Sequence, residues 1–242
     1  MDMKHDGSTV AAAALVEFGV GLAGHVRRLA WDPRRRKSCQ KARGRRNFRA
    51  KTGSLMGFYP DLPIITQRLT LRPFTRGDVD AVLDYRGRED VALYLFDTAL
   101  SREECALAVQ QRILQTSWSA EGDKIVLAAV LSESDTLIGE LSLIWRSEDA
   151  RQGEIGWIFH PDHHGRGYAT EAASALLDLG FQGADLHRIF ARCDARNASS
   201  WRLMERLGMR REAHFREHAL FKGGWDEEFV YAVLRREWRT GG

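Results

Sequence analysis

The sequence predicts one α/β (α+β) domain, a central sheet flanked by helices, behind an unlike N-terminal segment. Three observations carry this reading. Strand-like runs alternate with helical periodicity from about residue 63 to residue 240, with no internal repeat. A short apolar run, Glu154 to Phe159, passes through a turn with one Pro and two Gly into a helical stretch, Ala172 to Phe181. Two further pairs of runs, 124–131 with 137–145 and 210–220 with 225–234, are each joined by a short turn and read as hairpins.

The chain has 242 residues, which suits one domain and an extension of about 62 residues, at about 100–200 residues per domain. Val10 to Val26 is apolar but is interrupted by Glu17 and His25, too short and polar for a membrane span. Asp2 and Asp6 replace the basic start of a signal peptide. Arg27 to Lys51 holds 12 Lys/Arg against one acid, Asp32, so it carries +11 of a net +3 and leaves −8 on the rest. This arm reads as disordered, or as an attachment to nucleic acid or ribosome through phosphates. Translation from Met56, just ahead of the domain, is a third reading. Cys39, Cys105 and Cys193 lie far apart, which gives neither a disulfide framework nor a metal motif and fits a reducing cytoplasm.

The domain opens with Ile64 to Phe74, a first strand in which Leu69, Leu71 and Phe74 alternate with polar residues. Thr75-Arg76-Gly77-Asp78 caps a helix whose apolar face is Val79, Val82 and Leu83. Ser101 with Glu104 is a capping box for a second helix, through Ala108, Ile113 and Leu114. Lys124 to Leu131 is a continuous apolar strand, Asp135-Thr136 a turn, and Leu137 to Trp145 its partner. Glu154 to Phe159 is a fourth strand and His187 to Cys193 a fifth. Asn197 starts a helix through Trp201, Leu203, Met204 and Leu207, stopped by Gly208. Arg210 to Leu220 and Trp225 to Leu234 close the chain around Lys222-Gly223-Gly224.

The chemistry centres on His160-Pro161-Asp162-His163-His164-Gly165-Arg166-Gly167-Tyr168-Ala169-Thr170-Glu171-Ala172. Glycines let the backbone turn tightly and approach a ligand. The helix that follows begins with free N–H groups at the positive end of its dipole. Together these suit a phosphate or pyrophosphate. The stretch is not a Walker loop, since no Gly-Lys-Ser/Thr follows, and it lacks the three-glycine dinucleotide spacing. The three histidines match no common zinc spacing and read as solvated loop residues, so no metal is expected.

This stretch resembles the acetyl-coenzyme A pyrophosphate loop of the GCN5-related N-acetyltransferases (GNAT), Q/R-x-x-G-x-G/A. Gly165-Arg166-Gly167-Tyr168-Ala169-Thr170-Glu171-Ala172 is most similar to the RimJ/RimL-type branch, the ribosomal-protein N-acetyltransferases. Asp162 departs from the family's Gln or Arg. Thr66-x-Arg68-Leu69-x-Leu71-Arg72-Pro73 resembles the branch's entry, Leu137-Ile138-Gly139-Glu140-Leu141-Ser142-Leu143 its third strand, and Asn197-x-x-Ser200 with Leu207-Gly208-Met209 its second coenzyme motif. The resemblance covers about residues 64–238. It implies the GNAT fold, a mixed, largely antiparallel sheet of about seven strands with coenzyme wedged where the fourth and fifth strands splay.

It further implies transfer of acetyl from acetyl-CoA to a primary amine, by direct attack in a ternary complex and without a metal. Gly165, Arg166, Gly167, Tyr168 and Ala169 would offer backbone donors to the pyrophosphate, Thr170 a hydroxyl, and Asn197 a further contact. Backbone N–H groups at Ile158, Phe159 and His160 would meet the developing oxyanion. Glu154 is the candidate base or a structural carboxylate paired with an Arg; Glu140 is the alternate base. Ser200 would protonate the leaving thiolate, or bond its own helix. Tyr94, Phe96, Trp118, Trp145, Trp157 and Trp225 either shape the acceptor pocket or pack the core. The acceptor is a protein N-terminal amine or a small amine, and the chain a monomer or homodimer with no membrane partner. The other reading is a degenerate acetyl-CoA sensor or a nucleic-acid-associated module using the basic arm.

Overall fold

The computed structural model describes residues 57–238. Val10 to Val26, the basic run Arg27 to Lys51 and the start at Met56 lie outside the described residues. The strands are β1 (Ile64–Ile65), β2 (Leu69–Arg72), β3 (Lys124–Leu131), β4 (Leu137–Ser147), β5 (Gln152–Phe159), β6 (Arg188–Asp194), β7 (Arg210–Phe221) and β8 (Gly224–Leu234). The helices are α1 (Val79–Arg86), α2 (Glu89–Ala92), α3 (Arg102–Leu114), α4 (Tyr168–Asp178) and α5 (Ala198–Arg206). All eight strands form one sheet in the order β1-β2-β3-β4-β5-β6-β8-β7, antiparallel except for β5 beside β6.

The eighth strand arises where the sequence suggested one long first strand. Ile64 to Phe74 folds back on itself, pairing Ile64 with Leu71. The turn is made by Thr66, whose N–H donates to the Leu69 carbonyl while its Oγ1 accepts from the Leu69 N–H. A hydroxyl that bonds nearby backbone offers an alternative to the ladder. Short α2 also carries no sequence period and was not expected.

Elsewhere local chemistry sets the ends. Ser101 accepts from the Glu104 N–H at 3.2 Å while the Glu104 carboxylate accepts from the Ser101 N–H at 2.8 Å, the reciprocal cap that starts α3. Asp78 ends the entry turn by taking both Arg72 guanidinium nitrogens, at 2.8 and 2.9 Å.

Two cores flank the sheet. On one face α4 buries Ala172, Ala173, Leu176 and Leu177 against Leu141, Leu143, Ile155, Ile189 and Ala191. Each buried Leu contributes about 1.5–3 kcal/mol. On the other face α1 and α3 set Val82, Cys105 and Val109 against Val126, Ala128, Val130 and Ile158. Gly139 in β4 has no room for a side chain: a Cβ there would lie 2.5 Å from the Ile158 carbonyl oxygen.

The feature that positions the site is a short pairing. β5 and β6 are partnered only at Gln152–Arg188, Gly153–Ile189 and Glu154–Phe190. Beyond these, Ile155 to Phe159 and Ala191 to Asp194 run on unpaired with each other, and the strands part.

Candidate active site

A cleft of about 1220 Å³ opens where β5 and β6 part. It exceeds the ~300–1,000 Å³ of most small-ligand pockets, as an elongated ligand requires. One bank is β5 and the start of α4, with Trp157, Ile158, Phe159, Gly165, Gly167 and Tyr168; Ala169 and Thr170 continue it. The other is α5 and its cap, with Asn197, Ser199, Ser200, Arg202, Leu203 and Arg206. Thus the two separated motifs of the sequence face each other. Arg166 and His160 are not on the lining.

The loop earns its shape from two glycines in the left-handed region, Gly165 at φ 74° and Gly167 at φ 82°. Gly167 is also the residue before α4, and a Cβ there would meet the Arg68 guanidinium at 3.3 Å. Glu171 N–H closes the first helical bond back to Gly167 at 3.0 Å. Tyr168, Ala169 and Thr170 therefore point N–H groups out of the helix end toward the cleft.

Glu171 fixes this loop to the β1–β2 turn. Its carboxylate accepts from the Thr66 hydroxyl, the Arg68 N–H and Arg68 Nε, each at 2.7 Å. Arg68 then donates to the Arg166 carbonyl at 3.0 Å and lies over the Tyr168 ring, 4.6 Å from its centre. Burial pushes the Glu171 carboxyl up, but these donors outweigh it and hold it below the ordinary value. The entry phrase Thr66-x-Arg68 and the loop phrase Thr170-Glu171-Ala172 are thus two halves of one contact.

His160 spends its groups locally. Its N–H donates to the Ile138 carbonyl at 2.8 Å. Its Nδ1 accepts from the Asp162 N–H at 3.1 Å, which leaves the proton on Nε2, 3.2 Å from Asp84. Antiparallel strands alternate the side to which each residue's N–H points. Since His160 points at β4, so does Ile158, and Trp157 and Phe159 point into the gap. The Asp162 side chain is 77% exposed, and the loop's backbone does not depend on it. Among the described residues, no three His, Cys, Asp or Glu are gathered as a metal set.

Across the cleft, Asn197 caps α5 by accepting from the Ser200 N–H at 3.1 Å while also lining the site. Ser200 hydrogen-bonds Cys193, whose thiol burial pushes up to about 12, against that bond. Arg202 and Arg206 add positive charge that was not anticipated. A signal existed: Ser199, Arg202, Leu203 and Arg206 recur at helical spacing on one face.

Neither expected base lines the cleft. Glu154 is buried and held by Arg146 at 2.7 Å and Arg192 at 3.1 Å. Glu140 is buried deeper, accepting from Tyr85 at 3.0 Å and Arg112 at 2.7 Å. Burial first, then the Glu140 charge, holds the Tyr85 hydroxyl well above its ordinary value. Of the aromatics, Tyr94 and Trp157 line the cleft. Trp118 and Trp145 are stacked in the core, ring centres 6.0 Å apart. Trp225 is 64% exposed, and Phe96 leans on Phe221, 5.4 Å between centres. The late Tyr231 donates to Glu205 on α5 at 3.1 Å.

Comparison with known proteins agrees with this geometry. The family model described as an Acetyltransferase (GNAT) domain matches residues 68–210. The protein named Uncharacterized N-acetyltransferase YnaD, from Bacillus subtilis, is 34% identical over 176 residues, 72% of this chain and 98% of its own. The spermidine N(1)-acetyltransferase of Vibrio cholerae is 26% identical over 175 residues, 72% of this chain and 97% of its own. The crystal structure of a GNAT-family acetyltransferase from Bacillus anthracis superposes with a TM-score of 0.66 at 32% identity, covering 73% of this chain and all of that one.

Proposed function

Since the chain belongs to the GNAT acetyltransferase family, we propose that it passes acetyl from acetyl-CoA to a primary amine, a protein N-terminal α-amine or a small-molecule amine, by direct attack in a ternary complex. That it is an N-acetyltransferase with acetyl-CoA as co-substrate follows from the family. The acceptor and the residue roles are the proposal. The observation that carries it is the parting of β5 from β6 directly before the glycine-turned start of α4.

In this reading the N–H groups of Tyr168, Ala169 and Thr170, with those of the Gly165–Gly167 turn, hold the pyrophosphate at the positive end of α4. Arg202 and Arg206 supply the local positive charge that the acidic body lacks. The thioester lies along β5, and the N–H groups of Phe159 and Trp157 receive the charge that develops on its oxygen. His160 and Ile158 support this from the β4 side. Ser200, held by its bond to Cys193 and by the Asn197 cap, donates to the departing sulfur. Glu154, between two guanidinium groups, orders the mouth of the gap.

The test is thiol release from acetyl-CoA over a panel of N-terminal peptides, polyamines and amino acids. Turnover with one class and not the others is expected. Tight binding of acetyl-CoA with no release above hydrolysis on any amine would replace the transferase reading by a sensor.

A further inference from the structure

We infer that Glu228 is the carboxylate that receives the acceptor's proton, from the sheet face opposite α4; this rests on the transferase reading above. The argument begins with which side chains share a face. Directly paired residues do, and so do alternate residues of one strand. Glu154 pairs with Phe190, Arg192 with Val230, and Asp194 with Glu228. Glu154, Arg192, Asp194 and Glu228 therefore project together from one face. The intervening residues of β6, Ile189 and Ala191, are packed under α4 on the other. In the transferase reading the acceptor reaches the gap from this acid face, while coenzyme lies over the start of α4.

On that face the apolar packing stops short of β6, and Glu154 and Glu228 are buried among polar groups. The core under α1 and α3 takes residues of β3–β5 but, among the described residues, none of β6, β7 or β8. The remaining half is bridged at one edge, where the β7–β8 turn meets the α2 region. There Lys222 donates to the Ala92 carbonyl at 2.6 Å and Phe221 leans on Phe96.

The carboxylates on this side differ in how they are compensated. Glu154 holds two guanidinium groups, at 2.7 and 3.1 Å. Asp194 takes Arg196 by side chain and backbone N–H, at 2.6 to 3.2 Å. Asp226 accepts from the Ala219 N–H at 2.9 Å and faces His218 at 3.1 Å. Glu228 is 9% exposed and has Arg192 at 3.6 Å, a guanidinium it shares with Glu154. A buried carboxylate with so little compensation binds a proton more readily than its neighbours. Burial is the main cause that raises the Glu228 carboxyl; Arg192 and His218 oppose it, and Asp226 and Glu154 add to it.

The step balances as follows. An acceptor ammonium gives one proton to the Glu228 carboxylate, which later passes it to solvent. The freed lone pair forms the C–N bond, and the C–S bond breaks. The sulfur leaves as thiolate and takes the second nitrogen proton, directly or through the Ser200 hydroxyl. One acetylated amine, one thiol and one released proton result.

The experiment compares wild type, Glu228→Gln and Glu154→Gln with acetyl-CoA and the best amine of the panel. It measures kcat/KM across pH, together with the acetyl-CoA Kd and the thermal midpoint. For Glu228→Gln we expect kcat/KM to fall about 100-fold or more, the usual range for a lost general base. The acid limb of the pH profile should disappear, while coenzyme Kd and midpoint stay near wild type. Glu154→Gln should keep that limb. A Glu228→Gln enzyme with wild-type rate and acid limb would overturn the inference and leave the transferase reading intact. Loss of coenzyme binding or folding in step with activity would overturn it too, by making Glu228 structural. A wild type that acetylates no amine would remove the reading and this inference together.

Discussion

Replacing Glu171 by Gln removes the charge on which Thr66 and Arg68 converge, and both stability and coenzyme affinity should fall. Three donors meet this carboxylate at 2.7 Å. The Arg68 side chain is 44% exposed, so its ion pair is screened and contributes about 0.5 kcal/mol. The Thr66 hydroxyl and Arg68 N–H are bonds to a charged acceptor, at about 1.5 kcal/mol each or somewhat more. A Gln keeps one acceptor oxygen, so about 2 kcal/mol should be lost in all. For a domain of this size that lowers the thermal midpoint by about 4–8 °C. The loop loses its tie to the β1–β2 turn at the same time, so the acetyl-CoA Kd should rise by about tenfold, equal to about 1.4 kcal/mol. The sign with pH is fixed. A carboxyl held below its ordinary 4.5 contributes fully above that pH and loses its contribution as pH falls through its folded value. The gap between wild type and Glu171→Gln should therefore narrow in acid below about pH 4.5. Urea or thermal unfolding over pH, with calorimetric titration of acetyl-CoA, tests this. An unchanged midpoint and an unchanged Kd would refute the clamp.

Three other outcomes are expected. Glu140→Gln leaves Arg86 and Arg112 buried beside a neutral group, where three of their nitrogens already have no hydrogen-bond partner among the described residues. It should cost about 3 kcal/mol in urea unfolding while leaving the shape of the pH–rate profile unchanged. Arg202→Ala with Arg206→Ala should raise the KM for acetyl-CoA about tenfold and flatten its salt dependence, with little change in kcat; a KM that does not move would remove them from the coenzyme bank. Gly139→Ala forces a Cβ to 2.5 Å from the Ile158 carbonyl oxygen and 2.7 Å from the Phe159 ring. It should destabilise by about 2–3 kcal/mol and disturb the strand along which the thioester lies, read by unfolding and by KM.

Much of this molecule was legible because single residues dictate local geometry. Ser101 with Glu104 announced α3, the apolar run of β3 stood out with its ends intact, and Gly165 with Gly167 marked the turn where backbone meets ligand. The cap at Asn197 was legible for the same reason. What escaped depends on partners remote in sequence. Nothing between Ile64 and Phe74 signals a reversal, because no Gly or Pro makes it; a Thr hydroxyl does. Thr66 and Arg68 gain their meaning only when Glu171, 105 and 103 residues on, arrives beside them. Charge also misleads when read along the chain. Glu154 read equally as a base or as a carboxylate paired with an Arg, and Glu140 as the alternate base; two arginines hold the first and Tyr85 with Arg112 the second. Glu228 drew no notice within Asp226-Glu227-Glu228, since burial and a shared guanidinium distinguish it only after folding.

The central claim is that the gap between β5 and β6 is the acetyl-CoA channel, and a crystal structure with coenzyme A tests it most directly. The pyrophosphate should sit on the N–H groups of Gly167 to Thr170, with the pantetheine arm beside Trp157 to Phe159 and the sulfur near Ser200. Coenzyme bound elsewhere, or a gap still empty at saturating coenzyme, would contradict the account.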